Sequence, residues 1–84
     1  MREEILNILD ELGILIDEKE EDNDFDLMDY FLESIQFISF IVEVEKYLGT
    51  ELPDEYLMPE RYRSFNALCD AWEYIVLGIK GIQN

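Results

Sequence analysis

The sequence predicts a small all-α bundle, and three observations carry that reading. Ile5, Leu6, Ile8, Leu9, Leu12, Leu15 and Ile16 recur at helical spacing near the start. Residues 35–48 are apolar nearly all round, broken by one polar stripe of Gln36, Ser39, Glu43 and Lys46. Leu68, Trp72, Ile75, Val76 and Ile79 then repeat the helical stripe near the end. No stretch makes a convincing strand. With 84 residues there is room for one core, so residues 1–84 are expected to form a single domain of three main helices and one short helix.

The first helix is expected over roughly Arg2 to Leu15, with Gly13 weakening its last turn. A long acidic connection follows from Asp17 to Glu33. Phe25, Leu27, Met28, Tyr30, Phe31 and Leu32 are interleaved with its acids, so it is expected to pack on the core as an ordered loop. Such loops in small domains are uncommon and usually functional. The second helix runs from Ser34 to Leu48 and stops at Gly49. Its apolar surface makes it central to the core. Pro53 and Asp54 turn the chain, Asp54 is placed to cap the next element, and Glu55 to Met58 make a short helix that Pro59 cuts off. Ser64 caps the last helix, which is expected to reach about Leu77 before Gly78 and Gly81 loosen the tail.

Composition narrows the function. There are 21 acidic and 6 basic residues, for a formal net charge of −15. Such a field repels nucleic acid and anionic membranes and attracts basic partner surfaces. Cys69 is the only cysteine and sits in an apolar-periodic stretch, where it reads as a small buried hydrophobe. Acids interrupt the first residues, no secretory signal is visible, and no run reaches membrane-spanning length, so a cytoplasmic monomer is expected. The chain has no histidine, which excludes histidine-based catalysis, and its four glycines are too scattered for a phosphate-cradling loop. A self-contained enzyme is not expected, nor is a resident metal.

Two constellations remain. Asp22, Asp24, Asp26 and Glu33 fall at positions 1, 3, 5 and 12 of a calcium-loop register over residues 22–33. Leu27 stands where that loop wants glycine, and no second loop pairs with it. The other constellation is Ser34, directly after the acidic loop and at the start of the apolar helix. A helix start offers unpaired N–H groups and a partial positive charge, so it tolerates a phosphate. Serine there is also a preferred cap.

The order of features around Ser34 resembles the acyl carrier protein family, which includes peptidyl carrier domains. Glu33-Ser34-Ile35 is similar to the Asp-Ser-Leu signature that opens the family's second helix. Val44-Glu45-Lys46-Tyr47-Leu48-Gly49-Thr50-Glu51-Leu52-Pro53-Asp54-Glu55 is similar to its downstream helix end and turn. The likeness spans nearly the whole length. Phe31 departs from a usual glycine, Glu33 replaces the common aspartate, and Ser39 and Lys46 stand where fatty-acid carriers often have acids.

The resemblance implies an acyl-carrier-like bundle with a 4'-phosphopantetheine arm on Ser34, drawn from coenzyme A and linked by a phosphodiester. The arm's thiol would hold acyl or aminoacyl cargo as a thioester, and Ser34 would be an attachment point without catalytic duty. The implied partners are a phosphopantetheinyl transferase and loading and condensing enzymes with basic docking surfaces. Docking would combine Glu33, Glu43, Glu45, Asp54 and Glu55 with the apolar Ile35 and Val42. Phe37, Phe40, Ile41 and Trp72 would either line a space for cargo or serve as plain core. The departures point to polyketide, nonribosomal peptide or similar specialised biosynthesis over bulk fatty-acid biosynthesis. The alternatives are an unmodified acidic interaction domain and a calcium-binding module at 22–33.

Overall fold

A computed structural model describes residues 1–20 and 23–83, and the side chains of 79–83 lie outside that description. It contains three α-helices: α1 (Arg2–Glu11), α2 (Ser34–Leu48) and α3 (Phe65–Gln83). Short 3-10 turns join them at Glu18–Glu20, Leu27–Tyr30, Asp54–Leu57 and Pro59–Tyr62, and no strand occurs among the described residues. The expected all-α bundle is therefore what the chain forms.

The first helix is shorter than its periodicity predicts. Gly13 takes φ +80°, which L side chains rarely adopt. The Gly13 N–H donates to the Asp10 carbonyl and the Ile14 N–H to the Leu9 carbonyl, both at 2.9 Å. This pair of bonds is the Schellman ending, which satisfies carbonyls a helix end leaves open. It turns Ile14 into the core and leaves Leu15 in solvent.

The connection after α1 packs as an ordered segment. Phe25 and Leu27 are buried, and Phe25 stacks on Phe65 with ring centroids 4.7 Å apart. Asp24 ties the segment to α3: its carboxylate accepts from the backbone N–H of Phe25 and of Asn66, each at 3.0 Å, and from Ser64 Oγ at 2.6 Å. Arg2 clamps the same junction. It donates to the carbonyls of Glu20 at 2.8 Å and Asn23 at 2.6 Å, bonds Asn66 Oδ1, and lies 4.9 Å from the Phe65 ring centroid.

Three other details correct the sequence reading. The turn at Asp54–Leu57 starts from Pro53, and Asp54 lies inside it instead of capping it. The short helix is a pair of 3-10 turns, because Pro59 ends one and opens the next. The last helix continues through Gly78 and Gly81 to Gln83, since one glycine costs a helix only about 1 kcal/mol relative to alanine. Ser64 caps α3 as expected, its Oγ accepting from the Ala67 N–H at 3.2 Å. The side chain of Ile79, the last member of the α3 stripe, falls outside the description.

The core is built from α1 (Ile5, Leu9), α2 (Phe40, Val44) and α3 (Leu68, Trp72), closed below by Tyr56 and Tyr62. Tyr62 Oη donates to the Tyr56 carbonyl at 2.6 Å in a buried position. The indole Nε1 of Trp72 is buried with no hydrogen-bond partner among the described residues. Cys69 is buried as expected, and burial pushes its thiol up to about 12.

Candidate functional site

The start of α2 divides its labour between two residues. Glu33 is the N-cap, with extended backbone at φ −139° and ψ 151°. Gln36, three residues later, reaches back: its Oε1 accepts from the Glu33 N–H at 3.1 Å and from the Leu32 N–H at 2.6 Å. This is the reciprocal arm of a capping box. Ser34, the residue expected to cap, is instead the first helical residue. Its side chain is exposed, and its Oγ makes no hydrogen bond among the described residues. The hydroxyl thus stands at the positive end of a 15-residue helix with no structural duty.

Beside it runs an apolar groove of about 440 Å³, open to solvent and lined by Ser34, Phe37, Ile38, Ile41, Val42, Glu45 and Leu57. Helical spacing explains the α2 side: 34, 38, 41, 42 and 45 lie along one face. Leu57 closes the other wall from the Asp54–Leu57 turn. The rim is also apolar, with Leu32 86% exposed, Ile35 61% and Met58 60%. Scattered apolar side chains on a surface are ordinary, but a contiguous set beside a groove marks a contact site.

The expected docking residues separate into groups. Ile35, Val42 and Glu45 lie on the Ser34 side of α2, and Glu33 caps it. Glu45 is partly spent, since its Oε2 accepts from the Leu52 N–H at 2.7 Å and holds the turn after α2. Asp54 and Glu55 are exposed on the turn below the groove, and Glu55 pairs with Arg61 at 2.8 Å. Glu43 lies apart. It pairs with Lys46 at 3.1 Å and faces a second groove between α1 and α2, lined also by Ile8, Glu11 and Tyr47. Exposed pairs such as these contribute little to stability.

The calcium register does not assemble a site among the described residues. Asp24 is committed to Ser64, Phe25 and Asn66, Asp26 caps the next turn through the Met28 N–H at 2.9 Å, and Glu33 caps α2. Asp22 lies outside the described residues.

Sequence reasoning missed Gln36 and Leu57. The first was visible as a glutamine three residues into a helix, the capping-box spacing. The second depends on a fold-back of the chain and had no local signal.

A family model for the phosphopantetheine attachment site matches residues 4–72. No curated protein and no solved structure matches the chain.

Proposed function

The chain belongs to the phosphopantetheine-attachment family, and from that premise we propose that Ser34 is the serine that bears its arm. Members of this family receive a covalent 4'-phosphopantetheine on a serine and carry cargo without transforming it, so the chain is a carrier and not an enzyme. The arm, when bound, supplies a terminal thiol that holds an acyl group as a thioester.

The observation that carries the assignment is the free, exposed hydroxyl of Ser34 at the first position of α2, with capping done by Glu33 and Gln36. The chain's other serines fit the role poorly. Ser64 Oγ donates to Asp24 and accepts from Ala67, and Ser39 lies inside α2 away from either end. The residues around Ser34 fit a phosphodiester. The opening N–H groups of α2 have no i−4 carbonyl, and their dipoles favour negative charge.

Residues 1–84 act as one carrier domain and work as a monomer. A phosphopantetheinyl transferase modifies Ser34, and loading and condensing enzymes then read the surface around it. The acids Glu33, Glu43, Glu45, Asp54 and Glu55 steer partners with basic docking surfaces, while Ile35 and Val42 make the short-range contacts. Such encounters are brief, as a shuttle requires. The cargo is acyl or aminoacyl, and Phe31, Ser39 and Lys46, which depart from the bulk fatty-acid pattern, favour a specialised pathway in the cytoplasm. No helix among the described residues is long and apolar enough to cross a membrane.

A fluorescent coenzyme A analogue with a broad-specificity transferase tests the assignment. Wild type should be labelled and Ser34→Ala should not. Labelling that survives Ser34→Ala would transfer the role to another side chain.

A further inference from the structure

The interior behind Ser34 is filled by rings. Phe31 lies 5.8 Å from Phe37 and 5.6 Å from Phe40, centroid to centroid. Phe37 meets Tyr62 edge-on at 5.0 Å, and Phe40 and Tyr62 both reach Trp72, at 5.8 and 6.2 Å. These are contact separations for aromatic pairs. Phe40, Tyr62 and Trp72 are fully buried. Tyr62 is held in place by its 2.6 Å bond to the Tyr56 carbonyl. The wall is continuous from the Ser34 end of α2 to α3.

Phe37 belongs both to that wall and to the groove beside Ser34. A hydrocarbon chain passing from the groove into the space between α2 and α3 must part Phe37 from Tyr62 and break the bond that pins Tyr62. Close-packed interiors resist such insertion, because added volume forces side chains off their rotamers. The groove is open along one side and shelters only one flank of what lies in it. A long alkyl chain would leave hydrated surface that grows with each carbon. A polar acyl group incurs no such cost.

We infer that this carrier keeps its cargo outside the bundle, in the groove beside Ser34, and suits short or polar acyl groups such as aminoacyl or hydroxyacyl over long saturated ones. Phe31 and Phe37 are the residues that close the interior. The inference rests on Ser34 as the attachment point and deepens that reading by naming the cargo class.

The test loads Ser34 with pantetheine thioesters of two, four, eight and twelve carbons through the transferase, with intact mass checking each product. Thermal midpoint and retention on a native hydrophobic-interaction column are then read. Cargo outside gives retention that climbs with every added pair of carbons, no rise in midpoint, and unchanged emission from Trp72, the only tryptophan. A midpoint that rises with chain length while retention stays flat overturns the inference. So does a shift of the Trp72 indole N–H resonance on loading, because that N–H is the buried donor a swallowed thioester carbonyl would meet.

Phe31→Ala opens the wall, and eight carbons should then raise the midpoint. If they do not, Phe31 is not the closing residue. Should the transferase leave Ser34 bare, the reading of Ser34 as the attachment site fails by itself. Ser34→Cys coupled to the same alkyl series through an arm-length maleimide linker still decides where the chain goes. The buried Cys69 thiol does not compete for that reagent.

Discussion

Gln36 and Ser34 share the first turn of α2, and each permits the other's role. Were Gln36 absent, the N–H groups of Leu32 and Glu33 would lose their acceptor, and the serine hydroxyl would be the nearest replacement. Gln36→Ala should therefore lower stability by about 1 kcal/mol, the usual value of a cap, read as a shift in the urea midpoint. An unchanged midpoint would mean that the reach-back bonds contribute nothing in solution. Asp24 offers a second test at this scale. Hydrogen bonds from the Asn66 N–H and from Ser64 hold its carboxyl below the ordinary value of 3.8. A carboxyl whose folded value is depressed binds its proton more readily when unfolded. Its stabilising effect is complete above 3.8 and is lost as pH falls through the lower folded value. The gap between the urea midpoints of wild type and Asp24→Ala should be widest near neutrality and narrow as pH drops below 3.8. A gap independent of pH would assign the effect to packing.

Two glycines show how element boundaries are set. Gly13 adopts φ +80° with open space around it, so a methyl group there meets no atom and is opposed only by backbone conformation. Gly13→Ala should cost about 1–2 kcal/mol. Gly78 sits inside α3 at ordinary helical angles, again with nothing near it, so Gly78→Ala should stabilise by about 0.5–1 kcal/mol. Thermal midpoints of the two variants should move in opposite directions; movement in the same direction would contradict these boundaries. The same contrast explains how far the sequence is legible. The ends of α2 and the start of α3 are readable because their signals are local: an apolar run, Gly49, and Ser64. Periodicity overshoots the end of α1 because Leu15 and Ile16 keep helical spacing after the chain has left the helix at Gly13. The glycines place the end of α3 too early because a glycine penalty is not a stop, and Gly78 does not enter the left-handed region that stops a helix. At the candidate site, Ser34 and Ile35 are legible from sequence order. The groove wall at Leu57 is not, because a turn far along the chain supplies it. Nor is the separation of Glu43 from the groove, which depends on which flank of α2 meets α1.

For the whole molecule, a net charge of −15 on 84 residues is a source of internal repulsion that the fold must overcome. Raising ionic strength from about 0.01 M to about 0.15 M shortens the screening length from about 30 Å to about 8 Å. The thermal midpoint should rise over that range. A midpoint that falls would mean that attractive pairs such as Glu55–Arg61 outweigh the repulsion. The same charge should make association with a basic partner slower as salt increases, while dissociation, governed by Ile35, Val42 and Leu57, changes little. Fold and surface thus divide the work: the aromatic core fixes three helices, and the face of α2 that the core leaves exposed carries the hydroxyl.

The most direct test of that account is fragmentation mass spectrometry after incubation with coenzyme A and a transferase. The tryptic segment between Lys19 and Lys46 contains both Ser34 and Ser39, so fragment ions must separate them. The expected result is one phosphopantetheine on Ser34 and none on Ser39 or Ser64. Modification at either of the other serines, or on none, would contradict it.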